Sequence, residues 1–272
     1  MTAPATRASV RESADRLRMA RGLRLSARDD WAGRIVRRAV VDALRRRAGR
    51  VEQRRMLHIE ALRHELAASD AIVERIDLGA GDRGALPLAL YHDGVPVVHT
   101  VGEFCRRSST GPAWSRLLFY LVREVAPVNA LELGTALGFS AAYQGAALEL
   151  NGHGRLVTIE GAPPLAALAR HNLARIGIDT VDVVSGPFRD ALPPVLERLQ
   201  SLEFAYVDGH HDGRATLDYF SALLTAIRRP ALLVFDDIGI SPGMRAAWEQ
   251  IARHPRVTLA VDFQKLGVCG VK

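Results

Sequence analysis

From Val128 onward, short apolar runs recur at regular intervals: "NALELG", "RLVTIE", "VDVVSG", "FAYVDG" and "ALLVFDD", each followed by a helix-compatible stretch. Runs that are apolar throughout, rather than at every second residue, suit strands buried on both faces. Joined by helices, such strands form a parallel sheet covered on either side. The end of the chain breaks the pattern, because "VTLAVDF" and "LGVCGVK" are separated only by Gln264 and Lys265. So short a connection cannot carry the crossover that parallel strands need, and the last strand is expected to be antiparallel. The predicted class is α/β: a doubly wound, mostly parallel sheet of seven strands with an antiparallel last strand.

Open sheets of this kind bind ligands beyond the carboxyl ends of their strands, and four of those ends carry acids: Glu132, Glu160, Asp208 and the pair Asp236-Asp237. The first strand runs into "ELGTALGFS", a glycine-rich turn that lets a ligand approach the backbone. The spacing of Gly134 and Gly138 is not the GxGxxG pattern of nicotinamide-cofactor enzymes. Glu160 follows the turn at the usual distance of ~20 to 30 residues, placed to accept hydrogen bonds from the two hydroxyls of a ribose. In "VFDDIG" two like charges stand side by side at a strand end. Adjacent buried carboxylates repel and lose hydration, so the pair calls for a cation, a network of donors or plain solvent.

The chain before this region has a different character. Residues Ala14 to about Ser69 show apolar positions at helical spacing, and "LPLALYHDGVPVVHTVGEF" has the pattern of two short strands around His92-Asp93-Gly94. A helix is predicted to resume over Pro112 to Val125. The net charge of +6 arises in the first quarter, where roughly 17 arginines face about 8 acids up to Leu66. The stretch "VVDALRRRAGRVEQRR" can form a basic helix, either a surface for nucleic acid or anionic membrane, or the solvated face of an arginine-rich chain whose only lysines are Lys265 and Lys272. Aromatic stacking residues are missing from the arginine run, which favours the solvated face over nucleic acid. No apolar run approaches the ~20 residues of a membrane span, and the N-terminus lacks the apolar centre of a secretory signal. Cys105 and Cys269 lie far apart without CxxC spacing, as free thiols of a reducing compartment would. A cytoplasmic location is expected.

Taken in order, "ALELGTALGFSA", "LVTIEG", "VVSGPFRDALP", "FAYVDGHHD" and "LVFDDIGISPG" resemble the class I S-adenosylmethionine-dependent methyltransferases. Within them the sequence is similar to small-molecule O-methyltransferases of the catechol O-methyltransferase type. The resemblance covers residues 111–272 and implies a Rossmann-like methyltransferase domain there, with residues 1–110 as a helical cap or an oligomerisation element, a homodimer being the assembly considered. It implies that Glu132, Gly134, Thr135 and Ser140 surround the methionine part of the cofactor. Glu160 and Gly161 would hold its ribose, and Gly186 to Arg189 would flank its adenine. Phe188 would pack on the purine or lie in the core, and Asp208 would border the cofactor.

In the metal-dependent members of that group, an aspartate after the fourth strand and an acidic pair after the fifth bind a divalent cation. Asp208, Asp236 and Asp237 fall on those positions, and hard oxygen ligands suit magnesium. The aspartates could instead cap the next segment or hold an amine of the substrate. "VDGHHD" offers the base, since imidazole exchanges protons near neutral pH. Alignment with the catechol type puts His211 at a catalytic lysine, whereas alignment with antibiotic-sugar O-methyltransferases puts His210 at the base; His211 is preferred. The expected substrate is a small molecule bearing a hydroxyl (a phenol, a sugar or a natural product); the alternative is an RNA- or partner-binding module with a methyltransferase fold, or an RNA methyltransferase, which the acid-lined strand ends oppose.

Overall fold

The arginine-rich start folds into helices α1 (Arg7–Leu25), α2 (Trp31–Arg45) and α3 (Arg50–Ala67). The structure is a computed structural model and describes residues 7–25, 29–45, 48–77 and 95–272. On α2 the buried residues Ile35, Val36, Ala39, Val40 and Ala43 recur one turn apart, which gives the helix a single apolar stripe. The predicted basic helix is interrupted. Arg45 ends α2, and Gly49 caps α3 with its N–H donated to the Glu52 carboxylate at 2.8 Å. Several arginines of this region or facing it are spent on acids: Arg55 meets Glu149 at 2.9 Å, Arg123 meets Glu52 at 3.6 Å and Arg38 meets Glu124 at 3.5 Å.

Strand β1 (Ile72–Asp77) pairs antiparallel with β2 (Val95–Thr100), Ile72 opposite Thr100 and Asp77 opposite Val95. One arm of the predicted hairpin is therefore a strand, but its partner is Ile72–Asp77; the turn His92-Asp93-Gly94 lies outside the described residues. Thr100 and Glu103 form a capping box that starts α4 (Val101–Ser108), and Pro112 opens α5 (Pro112–Val125) as expected.

The large sheet follows: β3 (Asn129–Leu133), β4 (Arg155–Glu160), β5 (Val181–Ser185), β6 (Phe204–Val207), β7 (Ala231–Phe235), β8 (Val257–Asp262) and β9 (Gly267–Val271). Its order is β5-β4-β3-β6-β7-β9-β8, with β9 antiparallel to both neighbours and β3 to β7 parallel. The crossovers are α6 (Phe139–Asn151), α7 (Pro163–Arg175), α8 (Phe188–Arg198), α9 (Gly213–Ala226) and α10 (Pro242–Ala252). Strand order reverses between β3 and β6, and that reversal opens a crevice at their carboxyl ends.

Alternate residues of each strand feed two cores. Ala130, Phe204, Tyr206 and Val234 pack with α2, α5 and α6, while Leu131, Ala205, Leu233 and Phe235 pack with α8, α9 and α10. The first core also contains Met19, Val36 and Val40 of the N-terminal helices beside Phe119, Val261 and Phe263. A Cβ on Gly22 of α1 would lie 2.3 Å from the Phe263 ring, so helix and sheet approach too closely for any side chain there. Side chains of the N-terminal helices thus share the first core with the sheet.

Candidate active site

One end of the crevice is built from β3, β4 and the turn between β3 and α6. The Glu132 carboxylate is fully buried against α6, accepting from Gln144 Nε2 at 2.9 Å and from Thr158 Oγ1 at 2.6 Å. Burial pushes its pKa up to about 7, against hydrogen bonds from Thr158, Ser140 and Gln144. Thr158 also meets buried Thr135, hydroxyl to hydroxyl at 2.6 Å. Gly134 has φ +100°, and a Cβ there would fall 2.0 Å from the Asp208 carbonyl oxygen, so the turn can lie against β6 only as glycine. Glu160, at the tip of β4, accepts from the backbone N–H of Ala136 at 2.8 Å and of Ala162 at 2.9 Å. Burial raises its pKa too, against those bonds and the more distant charge of Arg75. A narrow cleft runs between Ser108–Thr110 and the turn Gly134–Leu137, lined also by Ser140 and Asp208.

The other end lies at the tips of β6 and β7. Tyr206 Oη is 3.0 Å from Asp208 Oδ2 and 2.9 Å from Asp236 Oδ2, and Thr110 donates to the same Asp208 oxygen at 3.2 Å. A phenol carries one proton and can serve only one of the two carboxylates at a time. Burial and the charge of Asp236 push Asp208 well above the usual carboxylate range. Burial pulls Asp236 upward most strongly, but the Lys265 ammonium, together with His211 and the Asp237 N–H, holds it low. Lys265 thus favours the carboxylate form at Asp236, while burial and the charge of Asp236 disfavour it at Asp208. Lys265 Nζ donates to Asp236 Oδ1 at 2.5 Å and to Asp237 Oδ1 at 2.9 Å. His211 Nε2 stands 3.7 Å from Asp208 Oδ1 and 4.0 Å from Asp237 Oδ2.

Residues 131–238 match a family model described as a methyltransferase domain. An O-methyltransferase from Bacillus cereus, solved with S-adenosylhomocysteine, superposes with a TM-score of 0.52 at 26% identity, over 61% of this chain and 83% of that one. Another from Streptomyces achromogenes, involved in tomaymycin synthesis and solved with S-adenosylmethionine, gives 0.52 at 25% identity over 60% and 81%. Residues 131–238 are thus similar to a methyltransferase domain, in a fold shared with O-methyltransferases solved with S-adenosylmethionine or S-adenosylhomocysteine. Among curated proteins it is 32% identical over 132 residues to a catechol O-methyltransferase from Niastella koreensis, covering 48% of this chain and 58% of that one. The chain spans little more than half the length of the curated relatives it matches.

In the methyltransferase-like domain the residues expected around the cofactor fall into two groups. Gly134, Thr135, Ser140, Glu160 and Asp208 converge on the crevice or the turn that borders it. Gly161 follows Glu160 directly, and Gly186, at φ +152°, donates its N–H to the Glu160 carbonyl at 2.9 Å. Phe188 belongs to the second core, edge-on to His210 at 5.4 Å and to Tyr219 at 5.6 Å between ring centroids. His210 stacks on Tyr219 at 5.8 Å and is hydrogen-bonded through Nδ1 to the tyrosine hydroxyl. The two histidines of "VDGHHD" are thereby separated: His211 faces the aspartates, and His210 belongs to an aromatic cluster.

The donor set suits S-adenosylmethionine. Glu160 keeps unused carboxylate lone pairs that ribose hydroxyls could fill, the turn carries no side chain at Gly134 and Gly138, and Asp208 lines the cleft. It does not suit magnesium as the side chains stand. Among the described residues no three His, Cys, Asp or Glu side chains are grouped so as to hold a metal ion, and the cation between Asp236 and Asp237 is Lys265. Sequence reasoning missed Lys265, Tyr206 and Thr110. Lys265 had a signal, as one of two lysines in an arginine-rich chain, placed at a tight connection beside the acidic strand ends.

Proposed function

We propose that the chain transfers a methyl group from S-adenosylmethionine to a hydroxyl oxygen of a small molecule. The observation that carries this reading is the cleft lined by Thr110, the Gly134–Leu137 turn and Asp208: Glu160 accepts from the N–H of Ala136 in that turn, and His211 Nε2 stands 3.7 Å from Asp208. When bound, the cofactor supplies a methyl group on a sulfonium, which an oxygen nucleophile displaces from carbon. Glu160 and the Gly134–Leu137 turn orient the donor. His211 Nε2 takes the acceptor's hydroxyl proton, and the two neighbouring carboxyl groups stabilise the resulting imidazolium. Ser108–Thr110 forms one wall of the cleft and limits the entry of water. An acid-bordered crevice, with several N-terminal arginines engaged by carboxylates, favours a small acceptor over a nucleic acid. No helix among the described residues is long and apolar enough to cross a membrane.

Isothermal titration with S-adenosylhomocysteine tests the donor site, and methyl transfer from labelled S-adenosylmethionine to catechol as probe tests the acceptor site. Substituting His211→Ala is expected to lower kcat by about 10²- to 10⁴-fold with S-adenosylhomocysteine affinity unchanged. A chain that binds no S-adenosylhomocysteine would sink the reading, and undiminished turnover in His211→Ala would remove His211 from the reaction.

A further inference from the structure

The three aspartates stand where a divalent ion would be expected from sequence, yet their oxygens are already committed. Asp208 Oδ2 takes Thr110 and shares the single Tyr206 proton with Asp236 Oδ2; Asp236 Oδ1 takes Lys265 and the backbone N–H of Asp237 at 2.7 Å; Asp237 Oδ1 takes Lys265. The two oxygens left over, Asp208 Oδ1 and Asp237 Oδ2, are those that face His211 Nε2.

Nor is Lys265 a surface side chain that happened to fold inward. Its carbonyl accepts the N–H of Ile238, the residue after the aspartate pair, at 3.0 Å. Two residues further on, Gly267 pairs with Phe235, the residue before it. The β8–β9 connection is itself fixed, because Asp262 accepts the N–H of Gln264 at 2.6 Å and Phe263 donates to the Leu266 carbonyl at 2.8 Å. Sheet register therefore delivers this ammonium to these carboxylates, and its side chain is only 18% exposed. A compact point charge fits between two oxygens where a planar guanidinium would need a wider fork.

We propose that Lys265 is the resident cation of the aspartate cluster and a positioning residue for methyl transfer, so that this chain uses no divalent ion there. Its part in transfer rests on the methyltransferase reading above; its occupancy of the cluster does not. Lys265 holds Asp236 and Asp237 in place, and the two remaining oxygens hold His211 toward the acceptor hydroxyl. The hydroxyl proton would pass to His211 as the acceptor oxygen bonds the methyl carbon and the carbon–sulfur bond breaks, its electron pair leaving on sulfur.

The test uses the full chain, stripped with chelator and titrated with Mn²⁺ under electron paramagnetic resonance. Wild type is expected to leave the free Mn²⁺ signal undiminished, and chelator is expected to leave its melting temperature unchanged. Lys265→Met should melt lower and then take up Mn²⁺ with recovery of melting temperature, whereas Lys265→Arg, which keeps the charge, should take up none. Stoichiometric Mn²⁺ uptake by wild type, lost in Asp236→Ala, would overturn the proposal, and so would a folded Lys265→Met that takes up no Mn²⁺. If Lys265→Met fails to fold, the wild-type titration decides alone. Titration with S-adenosylhomocysteine runs beside it: failure there sinks the methyltransferase reading, while Mn²⁺ uptake with that binding intact sinks only the role given to Lys265.

Discussion

At β3 and β4 the buried carboxylates of Glu132 and Glu160 are hydrogen-bonded by neutral donors, namely an amide, a hydroxyl and two backbone N–H groups. At β6 and β7, Asp236 and Asp237 meet an ammonium instead. Neutral donors satisfy lone pairs without cancelling charge, so the first end keeps a negative potential that a sulfonium-bearing ligand can use. One ammonium offsets one of the two negative charges of Asp236 and Asp237 and ties both carboxylates together. One end is arranged for a cation that arrives, the other around a cation the chain already owns.

The largest expected effect comes from breaking the lysine-tied end. Asp236→Ala removes the acceptor for both Lys265 and Tyr206 and leaves a buried ammonium with one carboxylate. Losing one partner of a buried pair costs about 3 to 5 kcal/mol, read as a lower midpoint in denaturant or thermal unfolding. From sequence alone, removing one of two adjacent like charges should have relieved repulsion and raised stability; Lys265 reverses the sign. An unchanged midpoint would mean that the ammonium does not engage Asp236 in solution.

That reversal shows what the sequence could and could not carry. Strand identity, the antiparallel finish and the acids at strand ends follow from local pattern, because apolar runs and short connections restrict a chain wherever it is. Pairing across the sheet does not. Lys265 lies 29 residues from Asp236 and Tyr206 lies 30 from it, distances bridged only by register. His210 and His211 are neighbours in sequence, yet both adopt positive φ, at 61° and 45°, and the twisted backbone sends one ring to Tyr219 and the other to Asp208. Phe188 could equally have stacked on a purine; the rings of His210 and Tyr219 placed it in the core only once α8 and α9 were packed.

A middle-sized effect distinguishes the ends by pH. Glu132 has its pKa raised to about 7 in the fold, against a usual value of 4.5. Between those values the folded chain holds a proton the unfolded chain has released, so stability falls as pH rises from about 4.5 to about 7 and stays lowered above it. The span corresponds to about 3 kcal/mol. Glu132→Gln keeps one acceptor for Gln144 and turns the other contact into a donor toward Thr158, whose hydroxyl can in turn donate to Thr135. The variant should therefore melt higher than wild type at pH 8 and lose that advantage at pH 5. Parallel melting curves at both pH values would show that Glu132 titrates normally.

The smallest effect is read in ligand affinity and tests whether the ends are independent. Glu160→Gln keeps the shape of the side chain, but its amide can accept from only one of the Ala136 and Ala162 N–H groups and gives up the charge that would strengthen bonds to ribose hydroxyls. S-adenosylhomocysteine should bind more weakly by about 1 to 3 kcal/mol in isothermal titration, roughly 5- to 150-fold in Kd. Asp237→Asn alters the other end, where the bond to Lys265 can persist through the amide oxygen, and should leave that affinity within error of wild type. A comparable loss in both variants would couple the two ends. In that case the cofactor would feel the charge of the aspartate cluster across the crevice, and Lys265 would tune donor binding as well as acceptor position.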